Sequence, residues 1–214
     1  MGQAHDLKIP LQPADVSAVA AGDTVYLSGP LFTARPRWYR RVLAEGQPLP
    51  VDLRALGANV LFHTGPLVRK AADGSWEVVA IVPMPDWIAD GAEGNVARII
   101  PHLGLRAVIG KGLLEGTDQV CKTHQCLHLI TVGTWNNFAR QITRVLDVGW
   151  LDLGMAEAMW VFEVNRMGPF VVETDAGGRS LYEANRAERE AHQREVLKEM
   201  GLEGFHFSTP QLPE

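Results

Sequence analysis

A lysine stands between two glycines in Gly110-Lys111-Gly112, directly after the short apolar run 106–109. Glycines let a ligand approach the backbone closely, and the N–H groups at the start of a following helix favour an anion. The pattern does not match a nucleotide-binding P-loop, because Gly112 stands where that motif requires serine or threonine. The segment is typical either of an anion site or of an ordinary tight turn.

Arg35 is a second candidate, because it lies directly before Pro36 at a predicted junction between a loop and a helix. The planar guanidinium group of arginine matches the two oxygens of a carboxylate. Arg35 could therefore bind an organic acid. It could equally pair with a surface carboxylate or with the end of a helix.

Cys121, His124, Cys126 and His128 are residue types that bind metals. On a strand the last three would share one face, but zinc sites usually take cysteine ligands from a turn with closer spacing. Buried packing explains these residues better, so we expect no metal site in this chain. The chain has 2 cysteines, too few for a [4Fe-4S] cluster, which takes three or four thiolates.

Composition excludes several classes of function. The 214 residues carry a net charge of −5 and no long basic run, which argues against nucleic-acid binding. The apolar stretches are shorter than the roughly 20 residues that a transmembrane helix needs. The N-terminus lacks the pattern of a secretory signal. We therefore expect a cytoplasmic protein that binds neither nucleic acid nor membrane.

Strand-like and helix-like segments alternate along the chain, which predicts an α/β domain. Strands are predicted at 24–28, 59–63, 76–82, 106–109, 127–132, 160–164 and 170–174. The second and third would form a hairpin, and the last two an antiparallel pair around Met167-Gly168-Pro169. Gly110 and Gly133 each end a strand before a helix, and α/β proteins bind ligands at such carboxyl ends.

Two helices are predicted near these strand ends. One runs from Pro36 to about Glu45, and the other begins after the cap residue Thr134. The second has apolar residues at near-helical spacing, namely Trp135, Phe138, Ile142 and Val145. The charged segment 183–200 predicts an exposed C-terminal helix. We therefore divide the chain into a domain at 1–182 and an extension at 183–214.

The ordered combination of several segments resembles the β-subunit family of class I hydro-lyases. This family includes the β subunit of L-tartrate dehydratase and the C-terminal domain of class I fumarase. The resemblance extends from about Leu7 to Tyr182, and its segments are 22–35 (GDTVYLSGPLFTAR), 49–53 (LPVDL), 62–68 (FHTGPLV), 108–112 (VIGKG), 154–164 (GMAEAMWVFEV) and 168–183. It implies a swivelling β/β/α domain, here with an added C-terminal helix.

The resemblance also implies an activity and a partner. An iron–sulfur α subunit would carry a [4Fe-4S] cluster whose open iron takes hydroxide from a 2-hydroxy acid, in an α2β2 complex. This chain alone would bind no cofactor, in agreement with its cysteine count. Arg35 matches the family's substrate-carboxylate arginine in T-A-R, and Lys111 matches its active-site lysine in I-G-K-G. Both cations would stabilise the charge that develops when a proton leaves the carbon next to a carboxylate.

Several positions depart from the family pattern. Pro36 and Tyr39 stand where the family usually has aspartate and histidine. Pro85 and Ile88 stand where it has a catalytic threonine and a second carboxylate-binding arginine. The small-residue turn G-G-A-A-A becomes GTWNN at 133–137. Tyr39 or Asp86 could supply the missing base, although both residue types are also ordinary at protein surfaces.

The predicted catalytic residues are therefore Lys111, Arg35, Tyr39 and Asp86. The predicted substrate contacts are Arg35, Lys111, Gly110, Gly112, Thr33 and Asn136. Without the second arginine, a buried second carboxylate would lose on the order of 2–5 kcal/mol of binding. Met84, Trp87 and Ile88 would add apolar surface instead, although Arg98 or Arg140 could replace the missing cation.

We accordingly predict a hydro-lyase subunit whose hydroxy-carboxylic acid substrate is neither fumarate nor tartrate. One carboxylate would be held by Arg35 and Lys111, and the remainder would be bulkier or less charged. The alternative is a catalytically inert binding or assembly subunit of such a complex. Two converging cations favour the enzyme, because an idle pocket does not need them.

Overall fold

The computed structural model describes residues 2–84, 94–111, 116–132, 135–202 and 205, without the side chains of Trp135, Asn136 and Ala187. The chain divides into two compact units, Met1–Leu181 and Tyr182–Glu214. The division falls one residue before the predicted domain boundary. That boundary stays a prediction until the two segments have been produced separately.

Strands and helices alternate along the first unit. The strands are β1 Ala4–Lys8, β2 Thr24–Ala34, β3 Val60–Lys70, β4 Trp76–Pro83, β5 Ala107–Gly110, β6 Leu127–Thr131, β7 Ile142–Gly149 and β8 Met159–Thr174. The helices of the chain are α1 Pro13–Ser17, α2 Pro36–Tyr39, α3 Leu53–Leu56, α4 Asn95–Leu103, α5 Thr117–His124, α6 Trp135–Arg140, α7 Leu181–Ala184 and α8 Arg186–Glu199. This order confirms the predicted α/β class.

Five of the strands pair in a closed ring. The parallel pairs are β2 with β3, β3 with β5, and β5 with β6. β8 closes the ring, because it pairs antiparallel with both β6 and β2. β1, β4 and β7 extend the sheet beside β2, β3 and β8. Since the strands from β2 to β6 in the ring are parallel, their carboxyl ends lie together.

Two groups of buried apolar side chains lie on opposite sides of these strands, because successive residues of a strand face opposite ways. Phe62 and Ile109 belong to one group. Leu61, Val108 and Ile99 of α4 belong to the other. Each fully buried side chain of this size contributes about 1.5–3 kcal/mol. The carboxyl ends of β2, β3 and β5 are therefore held by packing on both faces.

The predicted hairpin is confirmed, since β3 and β4 pair antiparallel from Thr64 with Pro83 to Lys70 with Trp76. The predicted antiparallel pair around 167–169 is wrong. β8 is one strand of 16 residues that passes through this region. It pairs with β2 on both sides of Gly168, so the chain does not reverse there.

The predicted helix after Thr134 is too long. Thr134 lies outside the described residues, α6 ends at Arg140, and Ile142 begins β7. Val145 pairs with Phe162 of β8. β-Branched residues fit a strand well, and the pairing with β8 supplies partners for the backbone of this segment.

The other two predicted helices are present. α2 begins at Pro36 and continues as a π-helical turn over Arg40–Ala44. In the second unit, α8 carries Arg186 paired with both Glu183 and Glu190. Within the part of the chain that the structure describes, no helix has the length and apolar character needed to cross a membrane.

Candidate functional site

Arg35 lies where β2 ends and α2 begins. Its backbone is extended, with φ −142° and ψ 169°, and Pro36 takes the first helical position. Pro36 suits that position, because its missing N–H would have no partner in the helix. The predicted junction is therefore present, and the arginine side chain starts at the carboxyl end of a buried parallel strand.

Strand register places Arg35 and Lys111 at the same level of the sheet. The pairs that fix the register are Ala34 with His63 and Phe62 with Ile109. Arg35 is therefore level with Thr64 of β3, and Thr64 is level with Lys111. Met84 is hydrogen-bonded to both His63 and Lys111 and so lies between β3 and Lys111. Because neighbouring strands lie about 4.8 Å apart, the backbones of Arg35 and Lys111 are more than two strand spacings, about 10 Å, apart.

Lys111 follows β5, and its side chain is exposed. Its backbone N–H donates to the carbonyl of Met84 at 3.0 Å. The N–H of Met84 in turn donates to the carbonyl of His63 at 3.0 Å. The residue after β4 thus joins β3 to the segment after β5. An apolar residue, Met84, is held beside the lysine by these two bonds.

The guanidinium group of Arg35 contacts a carboxylate of its own chain. Nε lies 3.4 Å from Oε1 of Glu157, and both side chains are about one-fifth exposed, at 20% and 19%. The other oxygen of Glu157 accepts the backbone N–H of Arg37 at 3.1 Å. A methyl group placed on Gly65 would lie 3.2 Å from Nη1 of Arg35. The guanidinium group therefore lies over the backbone of Gly65 and beside Glu157.

The segment 150–158, between β7 and β8, is fixed to the helix that follows Arg35. Arg37 donates from Nη1 to the carbonyl of Leu153 at 2.9 Å. Arg41 donates to Asp152, and its hydrogen bond lowers the pKa of that carboxyl. The same arginine lies 5.5 Å from the ring centroid of Trp150. Glu157 therefore lies on a segment that Arg37 and Arg41 also hold in place.

Thr33 and Tyr39 are both buried. The hydroxyl of Thr33 accepts the N–H of Trp160 at 3.2 Å and lies 3.5 Å from the carbonyl of Ala158. It joins β2 to β8, and this geometry does not support the predicted contact with substrate. Tyr39 is 1% exposed and stacks on His63 at 5.7 Å between ring centroids. Its role as a base stays a prediction.

The remaining predicted residues fall into two groups. Gly110 is buried at the end of β5, next to Lys111. Asp86, Gly112 and the side chain of Asn136 lie outside the described residues, so their roles stay predictions. Arg140 lines a cavity of about 760 Å³ together with residues 75–79 and 142–145. That cavity contains neither Arg35 nor Lys111, so it does not place Arg140 beside the two cations.

The Cys and His residues of this stretch do not lie on one strand. Cys121 and His124 lie on α5, whereas His128 lies on β6. Both cysteines are buried. Nδ1 of His128 lies 2.9 Å from Oε2 of Glu173. Across the described ranges, no group of three or more His, Cys, Asp or Glu residues is arranged to hold a metal ion.

Glu173 has an unusual environment, which the sequence did not indicate. It is 2% exposed, and burial by itself would raise the pKa of its carboxyl. Hydrogen bonds with His128, Ser180 and Thr174 more than offset burial and lower that pKa to about 2. Glu173 is therefore a buried carboxylate that is held ionised by its neighbours.

The sequence also failed to single out Glu157 and Gly65. Glu157 is the one acid in the GMAEAMW segment, and Gly65 is part of FHTGPLV. Both segments had contributed to the family resemblance, but neither residue had been given a role. Arg35 and Glu157 are 122 positions apart in the sequence. Local spacing therefore could not reveal that they meet.

The closed ring of strands carries two cations, Arg35 and Lys111, directly after the carboxyl ends of parallel strands, where α/β proteins place ligands. Comparison with known proteins specifies the class. Residues 3–185 match the family model described as Fumarase C-terminus. The chain belongs to this family.

Relatives in this family are named as hydro-lyases or their subunits. The chain is 32% identical over 203 residues to the L(+)-tartrate dehydratase subunit beta of Escherichia coli (strain K12), covering 94% of this chain and 97% of the relative. It is 32% identical to the putative L(+)-tartrate dehydratase subunit beta of Methanocaldococcus jannaschii, over 81% of this chain and 88% of the relative. It is 30% identical to the putative fumarate hydratase class I of Geobacillus stearothermophilus, over 83% of this chain and 33% of the relative. The family resemblance seen in the sequence is confirmed.

Proposed function

We propose that this chain is the β subunit of an iron–sulfur-dependent hydro-lyase, and that Arg35 and Lys111 bind one carboxylate of a hydroxy-carboxylic acid. The register that brings the two residues level across β3 supports this most directly. The β-subunit names of the relatives support a partner α subunit. An α2β2 arrangement remains part of the proposal.

The two cations of this chain act on the substrate anion. They orient the acid through its carboxylate and stabilise the charge that develops as the neighbouring carbon loses a proton. The [4Fe-4S] cluster of the partner, when bound, supplies an open iron that accepts the leaving hydroxyl. This chain has 2 cysteines, both buried, which is fewer than a [4Fe-4S] cluster takes and fits a cluster held elsewhere.

Tyr39 and Asp86 are the two candidates for the catalytic base. Tyr39 is buried beside His63, so as a base it would need a path to substrate through the edge of the site. Asp86 follows Met84 by two residues, and Met84 is bonded to the backbone of Lys111. Asp86 is therefore the better candidate of the two, since a base must come within hydrogen-bond reach of the proton it removes.

The substrate is proposed to be neither tartrate nor fumarate. Ile88 stands where the family has its second carboxylate-binding arginine, and the apolar Met84 is held next to Lys111. A substrate with two carboxylates would therefore leave one without its usual cation. An acid with one carboxylate and a bulkier or less charged remainder fits this arrangement better.

The test is anaerobic coexpression of the chain with its α subunit, followed by assay of a panel of hydroxy acids. The panel includes L-tartrate, L-malate with fumarate, and 2-hydroxy acids that have one carboxylate and an apolar substituent. We expect kcat/KM to be at least about tenfold higher for one of the monocarboxylic acids. A second carboxylate without its cation should weaken binding by at least about tenfold.

Three other results would count against parts of the proposal. Equal kcat/KM on tartrate and on the monocarboxylic acids would contradict the substrate proposal alone. A brown complex that converts none of the panel would favour the inert binding or assembly subunit. A chain that forms no complex with the α subunit would contradict the proposed function as a whole.

A further inference from the structure

We propose that Glu157 is a positioning residue that holds the guanidinium group of Arg35 in its substrate-binding orientation. This inference rests on the proposed function, because it assigns Arg35 to a substrate carboxylate. Glu157 itself does not touch the substrate in this proposal. It acts through the arginine, whose Nε lies 3.4 Å from Oε1 of Glu157.

The contact uses one edge of the guanidinium group and leaves another available. Arginine has five N–H donors in a fixed planar fork, and a carboxylate can bind either at Nε or at the two terminal nitrogens. Glu157 occupies the Nε edge of Arg35. Within the described residues the hydrogen bond of Arg35 is made through Nε, and we assign the terminal nitrogens to the carboxylate of the substrate.

Gly65 supports the opposite side of the same group. A methyl group at this position would lie 3.2 Å from Nη1 of Arg35 and 3.0 Å from the carbonyl of Ala156. The backbone at Gly65 thus passes close to both the guanidinium group and the segment that carries Glu157. The guanidinium group therefore contacts a carboxylate and lies close to the backbone of Gly65, where an added methyl group would be a tight fit.

Glu157 differs from an ordinary surface partner, because it is itself held in place. Its second oxygen accepts the N–H of Arg37 at 3.1 Å, in the first turn of α2. Its own N–H donates to the carbonyl of Gly154 at 3.0 Å. By contrast, the pair of Arg69 with Glu77 is 66% and 51% exposed, and such exposed pairs contribute little.

Holding the arginine should affect substrate binding more than chemistry. A free arginine side chain populates many rotamers, and a carboxylate that fixes its Nε edge reduces the ordering needed when substrate binds. Arg35 contacts the carboxylate in both the bound substrate and the transition state. Glu157→Gln leaves the charge of Arg35 in the site, where it still stabilises the charge that develops on the acid, so the lost orientation should raise KM and change kcat little.

The kinetic test uses the assembled complex and, as substrate, the panel acid with the highest kcat/KM. Glu157→Gln keeps the size of the side chain but has one acceptor oxygen for two donors. We expect it to raise KM about tenfold and to change kcat less than about twofold. Glu163→Gln is the matched control, since Glu163 pairs with Pro30 of β2, well before Arg35, and should leave KM unchanged.

A double-mutant cycle separates positioning from general destabilisation. In an Arg35→Gln background, Glu157→Gln should change KM less than about twofold, because there is no guanidinium group left to orient. If the two substitutions raise KM independently, Glu157 acts on the fold and the positioning role is wrong. If Arg35→Gln itself leaves KM unchanged, the proposed function of Arg35 fails, and this proposal fails with it.

A chemical probe tests the contact without any activity. Phenylglyoxal modifies arginine side chains, and peptide mapping of the full chain measures the rate at each arginine separately. We expect Glu157→Gln to accelerate modification of Arg35 several-fold and Glu163→Gln to leave it unchanged. An unchanged rate at Arg35 in Glu157→Gln would overturn the proposal even if KM rises.

Discussion

Two cations on different strands form the centre of the site. Arg35 follows β2 and Lys111 follows β5, and neither is adjacent to the other in the sheet. β3 lies between β2 and β5, and the neutral side chain of its Thr64 donates a hydrogen bond to the carbonyl of Val82. We propose that a small anion binds between Lys111 and Arg35, which also pairs with Glu157.

Glu173 contributes to the stability of the fold through its ionised carboxylate. Glu173 is buried and ionised, with a pKa lowered from 4.5 to about 2. Because the folded pKa is below the unfolded value, the stabilisation is present above about pH 4.5 and is lost as pH falls towards 2. Asp23 and Asp175 also have lowered pKa values, so they add to the same trend.

Glu173→Gln should therefore lower the free energy of unfolding at pH 7 by on the order of 2 kcal/mol, because it weakens buried hydrogen bonds with His128, Ser180 and Thr174. It should also make stability less dependent on pH between about 4.5 and 2. Denaturant unfolding of the full chain over this range measures both effects. An equal pH dependence in the variant and the native chain would show that Glu173 is not the main titrating group, and Glu163→Gln serves as the control.

At the scale of elements, the close approach of β3 to the segment 150–158, which we call the crossing, determines the position of the Arg35 side chain. Gly65 on β3 is crowded by Ala156 on one side and by the guanidinium group on the other. The attachments of Arg37 and Arg41 to the same segment fix it against α2. A change in this crossing should therefore affect the site without breaking the sheet.

Gly65→Ala tests this crossing. The added methyl group would lie 3.0 Å from the carbonyl of Ala156 and 3.2 Å from Nη1 of Arg35. We expect KM to rise about tenfold in the assembled complex, because a displaced guanidinium group binds the carboxylate poorly. Gly177→Ala is the control, since that methyl group would lie 3.1 Å from Oδ1 of Asp175 instead. An unchanged KM in Gly65→Ala would show that the position of Arg35 does not depend on this contact.

Local patterns predicted most of the elements near the site. The strand before Gly110, the hairpin of β3 and β4, and the helix from Pro36 all appear where β-rich runs, polar turns and proline indicated them. Ile142 and Val145 misled the prediction, because residues three apart can lie on one face of a helix or belong to a strand. In the structure this segment is a strand, because it pairs with β8.

Contacts between distant segments could not be predicted in the same way. Arg35 contacts Glu157, which is 122 positions away in the sequence. Thr33 contacts the backbone of Trp160 in β8, which is 127 positions away. Thr33 was predicted as a substrate contact, which stays a prediction. In the structure its fully buried hydroxyl is bonded to the backbone of β8, which the sequence did not indicate. Only the closure of the ring by β8 makes both contacts possible.

For the whole molecule, the parallel strands bring separate segments to one end of a closed ring. Met84 and Lys111 follow β4 and β5 and are hydrogen-bonded to each other, and Arg35 follows β2. The chain covers 97% of the length of its relative from Escherichia coli, which is named a subunit. A site of two cations at one end of a subunit fits a reaction that is completed by a partner chain.

The most direct measurement is a crystal structure of the assembled complex with the best panel acid bound. We expect one carboxylate of that acid to lie within about 3.2 Å of both a terminal nitrogen of Arg35 and Nζ of Lys111. An acid bound with either nitrogen more than about 6 Å from every carboxylate oxygen would contradict the proposal that these two residues share the substrate.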